Sequence, residues 1–115
     1  MKFKFKVDEG TTLEGVRDIL DSLKKADIKE IPLNYLIRII EYLGGKRIVA
    51  TGSVVRFMHP LLNNYPQYHG YFTVHKIHKG GDQEEIRMVD FKKYLLPALL
   101  IIIEEKKHYE QQKNK

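Results

Sequence analysis

Arg56, Tyr71, Thr73 and His75 are the side chains of this chain best suited to chemistry, because two β-prone runs bring them to one surface. Side chains alternate across a strand, so with Val55 and Phe57 facing inward, Val54, Arg56 and Met58 face outward. In the run that begins at Tyr71, inward Phe72 and Val74 leave Tyr71, Thr73 and His75 on the same open face. A guanidinium there can grip a phosphate in a bidentate fork and a phenol can stack on a base. His75 is the nearby titratable group suited to acid–base work near neutral pH. Each residue also has a purely structural reading, Arg56 as a cross-strand partner and His75 as a hydrogen-bonded surface residue. Tyr65, Tyr68, His69 and Tyr71 form an aromatic cluster that either receives unstacked bases or folds back over a core edge. His59, before Pro60, has the simplest role of shaping a strand end.

Two other spacings carry less. His75-x-x-His78 places its rings on opposite faces of a strand, so a shared zinc needs a bend after Ile77, and no metal is expected. Lys79-Gly80-Gly81-Asp82 lacks the Gly-Lys-Ser/Thr ending of a phosphate-binding loop and reads as a flexible connection into the last helix. No cofactor is implied.

The composition is that of one soluble globular domain. The 115 residues are 43% hydrophobic and 30% charged, enough for a single modest core. The absence of cysteine excludes disulfides, thiolate metal sites and cysteine nucleophiles, and fits a reducing cytoplasm. The start Met1-Lys-Phe-Lys-Phe-Lys6 alternates charge with aromatic and lacks the apolar run of a signal peptide, so neither export nor membrane association is expected. A net charge of +5 favours an anionic partner such as nucleic acid, although a lysine excess also serves solubility.

The elements that position these residues follow from periodicity. Phe3, Phe5 and Val7 alternate with lysines and predict an N-terminal strand. Thr11 and Glu14 stand in capping-box spacing ahead of a helix whose stripe is Leu13, Val16, Ile19, Leu20 and Leu23 and whose end falls near Ala26. A second helix opens at Pro32, carries Leu33, Leu36, Ile37, Ile40 and Leu43 on one face, and stops at Gly44-Gly45. Strands are expected over 46–51 and 53–59, separated by Gly52, and over 71–78. A long helix from about Val89 to Lys107 is apolar almost all round between Leu95 and Ile103. This broad wrap predicts a cover shared between the first helix and a second copy of the chain, a homodimer through the C-terminal helix. The fold class is α+β, an antiparallel sheet covered on one face by helices.

From residue 32 onward the order helix, three antiparallel strands, helix is that of a double-stranded-RNA-binding-like core. Leu43-Gly44, then seven residues, then Gly52-Ser53, Phe57 and His59-Pro60 resembles the HicA (YcfA-like) family of toxin–antitoxin systems. His75-Lys-Ile-His78-Lys-Gly80 looks like that family's third strand and its following turn. The resemblance covers roughly residues 32–105. It implies an RNA-binding, metal-independent endoribonuclease that cuts messenger RNA, or a catalytically impaired relative, restrained by a HicB-like antitoxin protein; the alternatives are a non-catalytic RNA- or antitoxin-binding module and a small oligomeric structural protein. In that chemistry a neutral imidazole removes the 2′-hydroxyl proton and a cation stabilises charge on the phosphate oxygens. The position of the family's histidine is Val54 here, which cannot accept a proton, so the one catalytic candidate is His75. The candidate RNA contacts are Ser53, Arg56, Tyr71, Thr73, Lys76 and His78. On this reading residues 1–31 are a strand–helix extension, 32–108 the HicA-like core and 109–115 a polar disordered tail.

Overall fold

The computed structural model describes residues 3–48, 52–78 and 83–113 and is a mixed α+β domain with antiparallel sheets. The first helix, α1 (Leu13–Lys25), is capped by Thr12, whose hydroxyl accepts from the Gly15 N–H at 3.0 Å. The cap is thus one residue later than the Thr11–Glu14 spacing suggests. Thr11 instead accepts from the Asp8 N–H (2.9 Å), and Glu14 reaches across to Lys107. The helix buries Leu13, Val16, Leu20 and Leu23 and ends at Ala26, as its stripe predicts.

Strand β1 (Glu30–Pro32) leads directly into α2 (Leu33–Tyr42), with Pro32 still extended (φ −57°, ψ 130°), so the helix opens one residue after the proline. Gly44 closes it at φ +96°, where a side chain would be strained. Strands β2 (Lys46–Ile48), β3 (Val54–Met58) and β4 (Tyr71–His75) then form one antiparallel sheet in the order β2-β3-β4. Between β3 and β4 lies a 3₁₀ turn, Pro60–Asn64.

The expected single strand over 71–78 breaks at Lys76. β5 (Ile77–His78) leaves β4 and pairs with β6 (Glu84–Arg87), which also pairs with β1, making a second sheet of order β1-β6-β5. The segment entering the last helix is therefore partly a strand rather than only a loop; Lys79–Asp82 themselves lie outside the described residues. Ile31 and Ile86 face each other in register and both are buried.

The N-terminal alternation does not produce a strand. Residues 3–8 run outside either sheet, with Phe3 edge-on to Tyr35 (5.4 Å) and Phe5 edge-on to Tyr42 (5.8 Å). Val7, expected inward, is exposed. The segment is placed by aromatic packing on α2 and not by pairing with a strand.

The last helical stretch runs through α3 (Met88–Asp90), a π-helical turn (Phe91–Leu95) and α4 (Leu96–Lys113). The wide turn has a cause in the sequence. Pro97 has no N–H to offer the Lys93 carbonyl and crowds the preceding turn, and just before it the Leu96 N–H bonds to the Phe91 carbonyl five residues back. Helix continues to Lys113, well past Lys107, so Tyr109–Lys113 is helical. The apolar wrap is enclosed within the one chain. Leu95, Leu96, Leu99, Ile102 and Ile103 are buried and Leu100 and Ile101 half-buried in the same core as α1, α2 and the β2-β3-β4 sheet. The premise that a second copy must cover it is removed. Leu13, Val16, Leu20 and Leu23 of α1 belong to the same core as the rest, and Arg17–Glu104 and Glu14–Lys107 pairs lie at the exposed edge between α1 and α4. No helix among the described residues is long and apolar enough to cross a membrane.

Candidate nucleic-acid interface

The alternation that buries Val55, Phe57, Phe72 and Val74 leaves an open face on the β2-β3-β4 sheet, and its side chains stand in cross-strand rows. Lys46, Met58 and Tyr71 form one row, Ile48, Arg56 and Thr73 the next, and Val54 lies directly across from His75. Arg56 Nε–H points to the Thr73 hydroxyl at 3.4 Å, and its guanidinium carbon sits 4.9 Å from the centre of the Tyr71 ring. A long flexible cation is thereby placed within cation–π distance of an aromatic ring and beside a hydroxyl. Arg56, Tyr71, Thr73 and His75 are all exposed. The structure thus brings the four together, with half-buried Val54 across from the imidazole.

The other sequence candidates lie elsewhere. Ser53 is exposed in the turn before β3, where its carbonyl accepts from the Lys76 N–H at 2.8 Å. Lys76 stands at the break between the two sheets. Its ammonium pairs with Glu84 at 2.5 Å and its side chain is only 10% exposed, so it stitches the sheets instead of facing solvent. Arg47, on the side of β2 opposite Lys46, approaches the same carboxylate at 3.6 Å. His78 belongs to β5 in the second sheet, and its side chain lies outside the described residues. Among the described residues no group of three or more acidic or histidine side chains is placed to hold a metal ion.

His59 is a structural residue of a specific kind. It is 4% exposed, its Nδ1 accepts from the Leu61 N–H (3.1 Å), and its Nε2 lies 2.6 Å from the Leu43 carbonyl. Because an amide must donate to Nδ1, the proton sits on Nε2, which donates to Leu43. Burial pushes its pKa below the ordinary histidine value, and the Lys106 ammonium adds to that; the bond to Leu43 opposes both. Gly44 and Gly45 make room for the ring. A Cβ on Gly44 would lie 3.3 Å from His59 Nε2, and one on Gly45 would lie 2.8 Å from Ile40 Cγ2 and 3.4 Å from His59 Cδ2.

Within the aromatic cluster the residues divide. The Tyr65 hydroxyl donates to Glu105 at 2.6 Å, and that bond, with burial and the carboxylate's charge, raises its pKa. Tyr68 packs edge-on to Phe72, with burial raising its pKa. These two fold over the core edge, while His69 and Tyr71 stay exposed. Sequence reasoning passed over Lys46, on the open face beside Met58, and Lys93 and Tyr94, which the π-helical turn sets beside Tyr71 and Thr73. The adjacent Lys92-Lys93-Tyr94 was the available signal, overshadowed by the apolar run that follows it. Comparisons with protein-family models, with curated proteins and with solved structures found no match for this chain.

Proposed function

We propose that this chain is an RNA-binding protein of the HicA toxin type, catalytically impaired, whose RNA surface is the open face of the β2-β3-β4 sheet. The observation that carries the reading is the Arg56 guanidinium poised over Tyr71 and bonded to Thr73 on an exposed face of a basic chain. Such a pair offers a phosphate a planar fork and a base a stacking partner in one place. The residues behind the family resemblance support it by meeting in space. Leu43 and Gly44 close α2 against His59, which starts the turn at Pro60, and this lock fixes where β3 ends. On this reading α2, β2, β3, β4 and α4 are the double-stranded-RNA-binding-like core, β5 and β6 are an insertion, and an antitoxin is the protein partner.

Cleavage by attack of the 2′-hydroxyl needs a base, and a proton donor to the leaving oxygen. Among the described residues His75 is the one imidazole on the sheet face, and its cross-strand neighbour Val54 offers neither function. Wild-type protein therefore binds RNA with little or no cutting. Val54→His would place a second imidazole on the residue directly opposite, with Cβ atoms about 4.5–5.5 Å apart.

Fluorescence anisotropy with labelled RNA over a range of salt concentrations tests the proposal. Arg56→Ala should weaken binding by about 1–3 kcal/mol and reduce the salt slope by about one counterion. Val54→His should raise cleavage of generic RNA, and His75→Ala in that background should abolish it. Unchanged affinity and salt slope in Arg56→Ala would overturn the assignment of the face.

A further inference from the structure

Beside the open face lies a cleft of about 380 Å³ between β4 and the π-helical turn, with Gln67, His69, Tyr71, Thr73, Lys93 and Tyr94 in its lining. We infer that this cleft is a subsite for one unpaired nucleobase, so that the RNA taken by the sheet face is single-stranded; the inference rests on the RNA-binding reading above.

Exposed aromatic surface is concentrated here. Among the described residues the tyrosines that stand well out of the core are Tyr71 (45% exposed), Tyr94 (42%) and Tyr109, and the first two line this cleft. Tyr42, Tyr65 and Tyr68 are engaged in contacts with Thr11, Glu105 and Phe72, and Tyr35 is buried against Phe3. Each of the two cleft tyrosines also has a cation at its ring, Arg56 at 4.9 Å from Tyr71 and Lys93 at 5.3 Å from Tyr94. Aromatic faces alternating with cations suit a strand whose bases stack while its phosphates are neutralised. The Thr73 hydroxyl, the Gln67 amide and the His69 ring add hydrogen-bonding groups for the edge of a base.

The walls are built in advance of a ligand. His69 and Gly70 take positive φ (53° and 92°), and the loop is tied by His69 N–H to Tyr65 C=O (3.1 Å), Gly70 N–H to Leu62 C=O (3.2 Å) and His59 N–H to Gly70 C=O (2.9 Å). A Cβ on Gly70 would collide with the Asn63 side chain. On the other side the π-helical turn before Pro97 buries Phe91 and Leu95 and leaves Lys93 and Tyr94 at the cleft. The volume is at the low end of small-ligand sites, about 300–1,000 Å³. It is large enough for one base turned out of a strand.

The test is anisotropy with a short labelled RNA strand, the same strand annealed to its complement, and the strand carrying one central abasic nucleotide. Wild type should bind the single strand at least about tenfold more tightly than the duplex. Tyr94→Ala should weaken single-strand binding about 5- to 100-fold, as loss of one base stack does, and leave duplex binding unchanged. Tyr94→Phe should retain wild-type affinity, and the abasic strand should be less sensitive to Tyr94→Ala than the intact one. Equal affinity for strand and duplex, or an unaltered Tyr94→Ala while Arg56→Ala weakens binding, would overturn the base subsite and leave the RNA surface standing. Wild-type protein that binds neither RNA would overturn both.

Discussion

Removing the imidazole of His59 tests whether the Leu43–Gly44–His59–Pro60 lock holds α2 to the sheet. In His59→Ala the Leu43 carbonyl loses a 2.6 Å bond and the Leu61 N–H loses a 3.1 Å bond, in a site where the side chain is 4% exposed. A buried polar group left without a partner costs about 1–3 kcal/mol; with Leu61 only part-buried, the two together come to about 2–4 kcal/mol. His59→Asn separates the contributions. Asparagine is a good helix N-cap and can still accept from Leu61, so this variant should lose about half as much. The pH dependence is a second signature. Because the folded pKa lies below the unfolded one, the unfolded chain takes up a proton first as pH falls. The stability His59 contributes is then full above its unfolded pKa of about 6.5 and is lost as pH falls toward the folded value. Urea unfolding at about pH 7.5 and about pH 5 reads both effects, with the wild type losing more stability between them than either variant. His59→Ala within about 0.5 kcal/mol of wild type at the higher pH, or with the same pH dependence, would refute the lock.

Three further outcomes follow from packing. Glu84→Ala strands the nearly buried Lys76 ammonium and should cost about 1–3 kcal/mol, below the full value for a buried pair because the carboxylate is partly solvated, whereas Lys76→Met should cost less than half of that; urea midpoints in the reverse order would show that Glu84 is not what holds Lys76. Gly45→Ala forces a Cβ against Ile40 and the Met58 carbonyl and should cost about 1–3 kcal/mol. Gly52→Ala, strained in φ but facing open space, should cost about 1–2 kcal/mol, and thermal unfolding that ranks Gly52→Ala as much the worse variant would contradict the close approach at Gly45. Leu20→Ala in α1 and Leu99→Ala in α4 should each cost about 2–5 kcal/mol and lower one common transition. A separate early transition for α1 in hydrogen exchange would show that residues 13–25 form a unit apart from the core.

Elements whose signal is local are legible in the residues alone. α1 and α2 are written in stripes of leucine and isoleucine at helical period, and the facing of β3 and β4 is written in Val55-x-Phe57 and Phe72-x-Val74. The membership of the open face followed from that alternation, because a strand that buries one side must present the other. What the sequence could not determine depends on partners far along the chain. β1 and β6 each bury one isoleucine, too few to show a period, and become strands because Ile31 and Ile86, remote in sequence, pair across them. The N-terminal alternation reads as a strand until the aromatic rings find α2, and Lys76 reads as a surface cation until Glu84 arrives from another strand. The apolar wrap of α4 reads as an interface until α1, α2 and the sheet enclose it. Lys93 and Tyr94 were visible only as a basic, aromatic stretch of helix, and tertiary packing alone set them beside Tyr71, because local period fixes which side chains share a face but not which faces meet.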